Sequence, residues 1–334
     1  MGASPPRDWP PVSVIMPVLN EERHLAEAVA GVLTQDYPGE LELVLALGPS
    51  RDRTGEIATA LATADPRIRL VDNPVGRTPD GLNAAIKASR YGVVVRVDGH
   101  GVLSPGYIKV AVEVLDRTGA ANVGGIMRAE GTTDFGRAVA RAMTSPLGIG
   151  GARFHTGGPA GPADTVYLGA FRRDVLERLG GYDEHFPRAQ DWELNYRIRQ
   201  VGQTVWFTPD LVVTYRPRSN LRALAGQFYR TGRWRREVVR RYPQTANLRY
   251  LAAPVVTAAV GIGVLAGLAG TLDGPRWLAL GWLAPAGYAV GVVVAGLVEG
   301  RGLPWRARAW LPAVLATMHV SWGAGFLVGS RAPA

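Results

Sequence analysis

An apolar, mostly β-branched run, "VVVRV", ends at Asp98-Gly99-His100. A carboxylate and an imidazole therefore stand two residues apart where a buried strand leaves its sheet. In open α/β sheets that edge, at the carboxyl ends of the strands, is where ligands bind. A simple Asp-Gly turn accounts for the same residues. A second acidic pair, Asp191 and Glu193, opens the helical pattern "AQDWELNYRIRQVG" on two different helix faces. An acid there also stabilises the helix dipole, by about 0.3–1 kcal/mol. The chain has no cysteine, which excludes disulfides, thiolate metal sites and cysteine nucleophiles. His24, His155, His185 and His319 have no partner that spacing reveals, and read as surface or packing residues. His155 stands in a Gly/Pro-rich stretch where it can touch substrate.

The elements that must position these residues are legible as alternating periods. Strand-like "VSVIMPV" (12–18), "LELVLAL" (41–47), "RIRLVDN" (67–73) and "VVVRV" (93–97) alternate with helical "NEERHLAEAVAGVLTQ", "EIATALATA" and "TPDGLNAAIKASR". That alternation predicts a doubly wound α/β domain with a parallel sheet. Functional residues are expected just after strands: Asn20, Glu21 and Glu22, then the 48–54 loop, then Asp98 and His100. Further on, "NVGGIM" (122–127) and "TVYLGAF" read as strands, and "RRDVLERLGGYDEHF" as a helix stopped by Gly180-Gly181. The intervening "GIGGARFHTGGPAGPAD" reads as a long lid or binding loop.

Composition divides the 334 residues into three parts. The net charge is +9, which suggests a polyanionic partner. Positions 216–249 concentrate Arg218, Arg222, Arg230, Arg233, Arg235, Arg236, Arg240 and Arg241 against one acid, Glu237. After Arg249 come three apolar runs, 250–272, 277–298 and 309–329, each near the roughly 20 residues that cross a bilayer. The expected organisation is a catalytic domain at 1–215, a basic interfacial segment at 216–249 and a membrane domain at 250–334. The first residues lack an apolar core before Val12, so no secretory signal is expected. Basic loops stay cytoplasmic. The charges place residues 1–249 in the cytoplasm, on a multi-pass protein of the cytoplasmic membrane whose C-terminus lies on the far side. Anionic lipids are expected partners of the basic segment, and nucleic acid is not, because that segment abuts a span.

Four stretches in order, "VIMPVLNEE", "RVDGH", "GGYDEHFPRAQDWELNYRIRQVG" and "GQFYRTGRWR" before apolar spans, resemble the family 2 glycosyltransferases of GT-A fold. Within them the chain looks most like the membrane-associated enzymes of succinoglycan-type exopolysaccharide synthesis. The resemblance covers about residues 12–245. It implies that Pro17, Leu19 and Glu21 line the nucleoside pocket. It implies that Asp98 and His100 replace an Asp-x-Asp metal motif, and that Asp191 is the catalytic base. "QFYRTGRW", with Gln227, Arg233 and Trp234, is similar to the Gln-x-x-Arg-Trp motif of processive relatives, which puts Arg233 and Trp234 on the donor. Asp164 is a further candidate for the acceptor, with His155. One departure concerns the nucleotide. Leu47 stands where relatives carry an Asp that contacts the base.

The chemistry implied is transfer from a nucleotide-diphosphate sugar, a UDP- or GDP-hexose, to a hydroxyl of a polyprenyl-linked saccharide with inversion. Charge develops on the departing diphosphate, which a divalent cation stabilises. Imidazole suits Mn²⁺ better than Mg²⁺. The acceptor hydroxyl needs a base, with Asp191 ahead of Glu193 on the family pattern. An alternative is a polyprenyl-phosphate glycosyltransferase, similar to dolichyl-phosphate mannose synthases, whose acceptor arrives already anionic. A regulatory or transport protein that binds nucleotide sugars would not need an Asp98/Asp191 pair.

Overall fold

A computed structural model describes residues 8–329, in two compact units. The first comprises the chain up to Arg128 together with Gly157–Tyr215; the second comprises Ala129–Thr156 and the chain from Arg216 onward. Residues 129–156, within the 1–215 that composition assigns to the catalytic domain, cluster here with the apolar C-terminal part. Residues 1–7 and 330–334, including most of the N-terminal stretch discussed above, lie outside the described residues.

The first unit is built on a mixed sheet. Its strands are β1 (Val12–Val18), β2 (Leu41–Leu47), β3 (Ile68–Asp72), β4 (Val93–Arg96), β5 (Val102–Leu103), β6 (Asn122–Ala129), β7 (Gly161–Pro162), β8 (Tyr167–Arg172) and β9 (Val205–Tyr215). The order is β3-β2-β1-β4-β8-β6-β9-β5, with β7 on β9. β3, β2, β1 and β4 run parallel. β1, β2 and β4 are almost wholly buried, as expected where helices cover both faces of a sheet. The Leu25–Leu33 helix buries Leu25, Ala28, Val29 and Val32, the stripe its spacing predicts. The pairs β4–β8, β6–β8, β5–β9 and β7–β9 are antiparallel. Apolar periodicity marks a strand but not its direction, so the parallel reading extends only to the first four strands.

Glu42 ties the parallel strands together. It is 1 % exposed. It accepts from Ser13 Oγ (2.6 Å), from the Arg90 backbone N–H (2.6 Å) and from Arg90 Nε (2.9 Å). The Arg69 guanidinium lies 3.5 Å away. Burial raises its pKa, but these hydrogen bonds and the Arg90 charge hold it below the usual glutamate value.

The second unit is helical. A helix at Leu221–Arg241 carries the basic segment, and its side of Val238, Leu224 and Phe228 is buried. Leu248–Thr271, Arg276–Glu299 and Trp305–Val328 are each 24 residues long and apolar enough to cross a membrane. The second of these opens as a 3₁₀ stretch, Arg276–Trp282. Small residues let these helices approach, as in membrane bundles. A Cβ on Gly263 would meet Gly281 O at 2.6 Å, and one on Gly323 would meet Ala253 O at 2.6 Å. The last turn of the third apolar helix lies against the basic helix. Arg233 Nε donates to Gly329 O at 2.7 Å, and Arg236 donates to the carbonyls of Phe326 and Leu327. Counting charges in loops does not register such packing. The segment expected as a long loop contributes a short helix, Arg153–Thr156, to this unit, and β7 to the first.

Candidate active site

The site gathers at the carboxyl ends of the parallel strands. β1 ends at Val18, and Asn20 follows in the left-handed region (φ 56°), which asparagine tolerates. That turn is locked to the 48–54 loop. Asn20 N donates to Ser50 Oγ (3.0 Å), Arg51 N to Asn20 Oδ1 (2.8 Å) and Glu21 N to Thr54 Oγ1 (2.7 Å). Leu19 is 39 % exposed, and a Cβ on Gly48 would approach its Cδ1 to 3.0 Å. Pro17 lies in β1 opposite Ala46, and Leu47 ends β2 opposite Val18 and Asp72.

Glu21 turns back to the β4 end. Its Oε1 lies 2.7 Å from His100 Nδ1. Gly99 is needed between them, since a Cβ there would meet Glu21 Cγ at 3.1 Å. A carboxylate hydrogen-bonded to one ring nitrogen is the usual arrangement that orients a metal-ligating histidine. Among the described residues no three His, Asp or Glu side chains converge on one metal. Asp98 and His100 are the two residues there that could hold a hard cation, which would take its remaining ligands from substrate phosphates and water.

The residue that sequence reading missed is Arg96. It is 2 % exposed in β4, hidden in an apolar run. Its Nε and Nη2 donate to Asp98 Oδ1 at 3.2 and 3.0 Å, and its Nη1 donates to Asp191 Oδ1. One buried guanidinium therefore joins the candidate metal ligand to the candidate base, and Arg96 itself lies 95 residues from Asp191 in sequence. The available signal was the arginine itself, an unlikely occupant of a buried strand unless paired.

Beneath Arg96 lies the Tyr182 ring, 5.8 Å from centroid to guanidinium carbon. The "GGYD" turn that carries it is gripped from two sides. Asn83 donates to Tyr182 O (2.9 Å) and accepts from Tyr182 N (2.8 Å), while Arg197 donates to Leu179 O and Gly181 O, both at 2.8 Å. Gly180 and Gly181 have φ of 72° and 73°, where a side chain is strained.

Arg197 also separates the two acids of the Gln190–Gln200 helix. It pairs with Glu193 through both carboxylate oxygens, at 2.7 and 2.9 Å from Nε, and Glu193 is fully buried. Glu193 therefore anchors the turn. Asp191 keeps a quarter of its side chain exposed beside Arg96. The remaining candidates are dispersed. Asp164 is 83 % exposed at the side chain and lies 3.5 Å from Arg199. His155, Arg233 and Trp234 belong to the second unit, where Arg233 Nε serves the end of the third apolar helix.

Comparison with known proteins adds three findings. A family model described as Glycosyl transferase family 2 matches residues 13–180. The succinoglycan biosynthesis protein ExoA of Rhizobium meliloti (strain 1021) is 31 % identical over 94 % of this chain and 93 % of its own length. Among solved structures, the Pyrobaculum calidifontis mannosyltransferase PcManGT, in complex with GDP-Man and Mn²⁺, superposes with a TM-score of 0.59. It is 20 % identical, and the match covers 95 % of this chain and 88 % of that one. S. aureus TarS 1–349 in complex with UDP gives 0.50 at 17 % identity, covering 95 % and 90 %. These two likenesses carry the GT-A fold.

Proposed function

The chain belongs to glycosyl transferase family 2, and from that premise we propose that it moves a hexose from a nucleotide-diphosphate sugar to a hydroxyl of a polyprenyl-linked saccharide, with inversion. The single observation that supports this most is the placement of Asp98 and Asp191 on one buried guanidinium. A divalent cation held by Asp98 and His100 would neutralise charge on the departing diphosphate. The PcManGT complex with GDP-Man and Mn²⁺ supports a nucleotide sugar and a cation of this class. Glu21 orients His100, and the interlocked 19–22 and 48–54 loops fix the rim on which a nucleoside rests. Arg96 aims Asp191, and Asp191 takes the proton of the acceptor hydroxyl as it attacks the anomeric carbon. Glu193 plays no part in that step, because its carboxylate is spent on Arg197. The three apolar helices support membrane attachment, with the catalytic unit in the cytoplasm.

The test is an assay of the purified full chain with a panel of radiolabelled nucleotide sugars and a membrane lipid extract. Mild acid is expected to release the label from the lipid product as part of an oligosaccharide. Release of the label as a single monosaccharide would instead identify a polyprenyl-phosphate glycosyltransferase.

A further inference from the structure

In the second unit, two arginines share one tyrosine. The Arg235 guanidinium carbon lies 4.0 Å from the Tyr250 ring centroid and that of Arg249 lies 5.3 Å from it. Tyr250 is buried, in the first turn of the Leu248–Thr271 apolar helix. Asn247 caps that helix by accepting from Tyr250 N, so the positive end of the helix dipole lies at the same place. Arg249 is laid across Gly150. A Cβ there would meet Arg249 Cγ at 3.0 Å, and Gly150 has φ of 78°, so the position suits glycine alone.

His155 completes the cluster. It is 9 % exposed, and its Nδ1 is buried with no hydrogen-bond partner. Burial, and then the Arg249 charge, push its pKa down to about 3. The ring is therefore neutral and offers a hydrogen bond without adding charge. Burial also lowers the Arg235 pKa to about 10, opposed by Tyr250 and assisted by Arg249. The two guanidiniums lie against one ring, so their like charges repel one another. Glu237, the acid of the basic helix, is bonded to Arg240 at 3.2 Å.

We propose that Arg235, Arg249 and His155 bind the phosphate group of the polyprenyl-linked acceptor. Guanidinium forks match phosphate oxygens in pairs. A bound anion relieves the repulsion between the two arginines and satisfies the His155 nitrogen. The first turn of an apolar helix is the depth at which a lipid phosphate resides while its chain runs along the hydrocarbon. The assignment rests on the reading of a lipid-linked acceptor, and it deepens that reading by giving the lipid phosphate its own site.

The experiment titrates farnesyl diphosphate into the full chain in phosphatidylcholine nanodiscs, for wild type, Arg249→Gln, Arg235→Gln and Arg235→Lys. Nucleotide binding is measured alongside as a readout of the folded first unit. Affinity for farnesyl diphosphate should fall at least tenfold in both glutamine variants and recover in part in Arg235→Lys, with nucleotide affinity unchanged. Equal affinity in wild type and Arg249→Gln, or no binding to wild type, would overturn the site. Loss of the bound probe on replacing phosphatidylcholine with phosphatidylglycerol would overturn it too, by showing a general headgroup surface. Arginine-dependent probe binding without any lipid-linked product would leave the site standing and remove the proposed function. A lipid-linked product with arginine-independent probe binding would do the reverse.

Discussion

Arg96 carries more of the proposed chemistry than its position in an apolar strand suggested. Removing it leaves Asp98 and Asp191 without their shared cation, and breaking a buried pair costs roughly 3–5 kcal/mol. Arg96→Met should therefore lower the melting temperature by several degrees and abolish transfer. Arg96→Lys should recover stability in part but little activity, because an ammonium cannot bond both carboxylates as a fork does. Calorimetric melting and turnover read both effects, and wild-type turnover in Arg96→Met would remove Arg96 from the site. The metal seat makes a second prediction at this scale. Asp98→Ala should lose transfer by orders of magnitude and lose cation-enhanced nucleotide binding, and His100→Asp should shift preference toward Mg²⁺. Full activity in excess chelator would contradict both. The Asp98, His100 and Asp191 candidates stand out in the sequence because polar types at strand and helix ends are conspicuous. A motif's spacing does not say where a guanidinium is spent, and the Arg233 Nε goes to Gly329 O.

At the scale of elements, the first half of the sheet was readable because each strand is apolar and each helix keeps a 3.6-residue stripe. Strand direction from β8 onward was not, since it depends on which neighbours pair and not on local pattern. The polar hub at Glu42 was equally invisible, being one acid in an otherwise apolar strand. Glu42→Gln should destabilise the first unit by roughly 1–3 kcal/mol, the cost of leaving buried donors poorly matched. Because the folded pKa of Glu42 is depressed, its charge contributes stability above the ordinary glutamate value. That contribution is lost as pH falls below 4.5 through the depressed value. The variant should show a shallower loss of stability over that acid range. An unchanged pH profile of unfolding would show that Glu42 is not the responsible group.

At the scale of the whole chain, three apolar runs and a basic segment were legible from composition, but their packing was not. Gly323 meets Ala253 and Thr257 of the first apolar helix. Thr257 lies about 14 Å along that helix from Leu248, and Gly329 follows Gly323 by about 9 Å. The last turn thus reaches no deeper than about 23 Å from the start of the first helix, short of the roughly 30 Å hydrocarbon core. Its bonds to Arg233 and Arg236 favour the same face as the basic segment. The cysteine-free chain allows a direct test with single cysteines and a membrane-impermeant maleimide. Ser219→Cys and Val328→Cys should label from one side and Asp273→Cys from the other. Labelling of positions 328 and 273 from a common side would restore the three-crossing arrangement expected from loop charge.

The most direct measurement of the central claim compares Asp191→Asn with wild type for transfer to the lipid-linked acceptor, alongside nucleotide-sugar affinity by calorimetry. The substitution keeps the shape and removes the base. Proton abstraction contributes about 10²–10⁴-fold, so turnover should fall by that factor while donor affinity stays within about twofold. Near-normal turnover would contradict the account, showing that the acceptor needs no base and arrives already ionised.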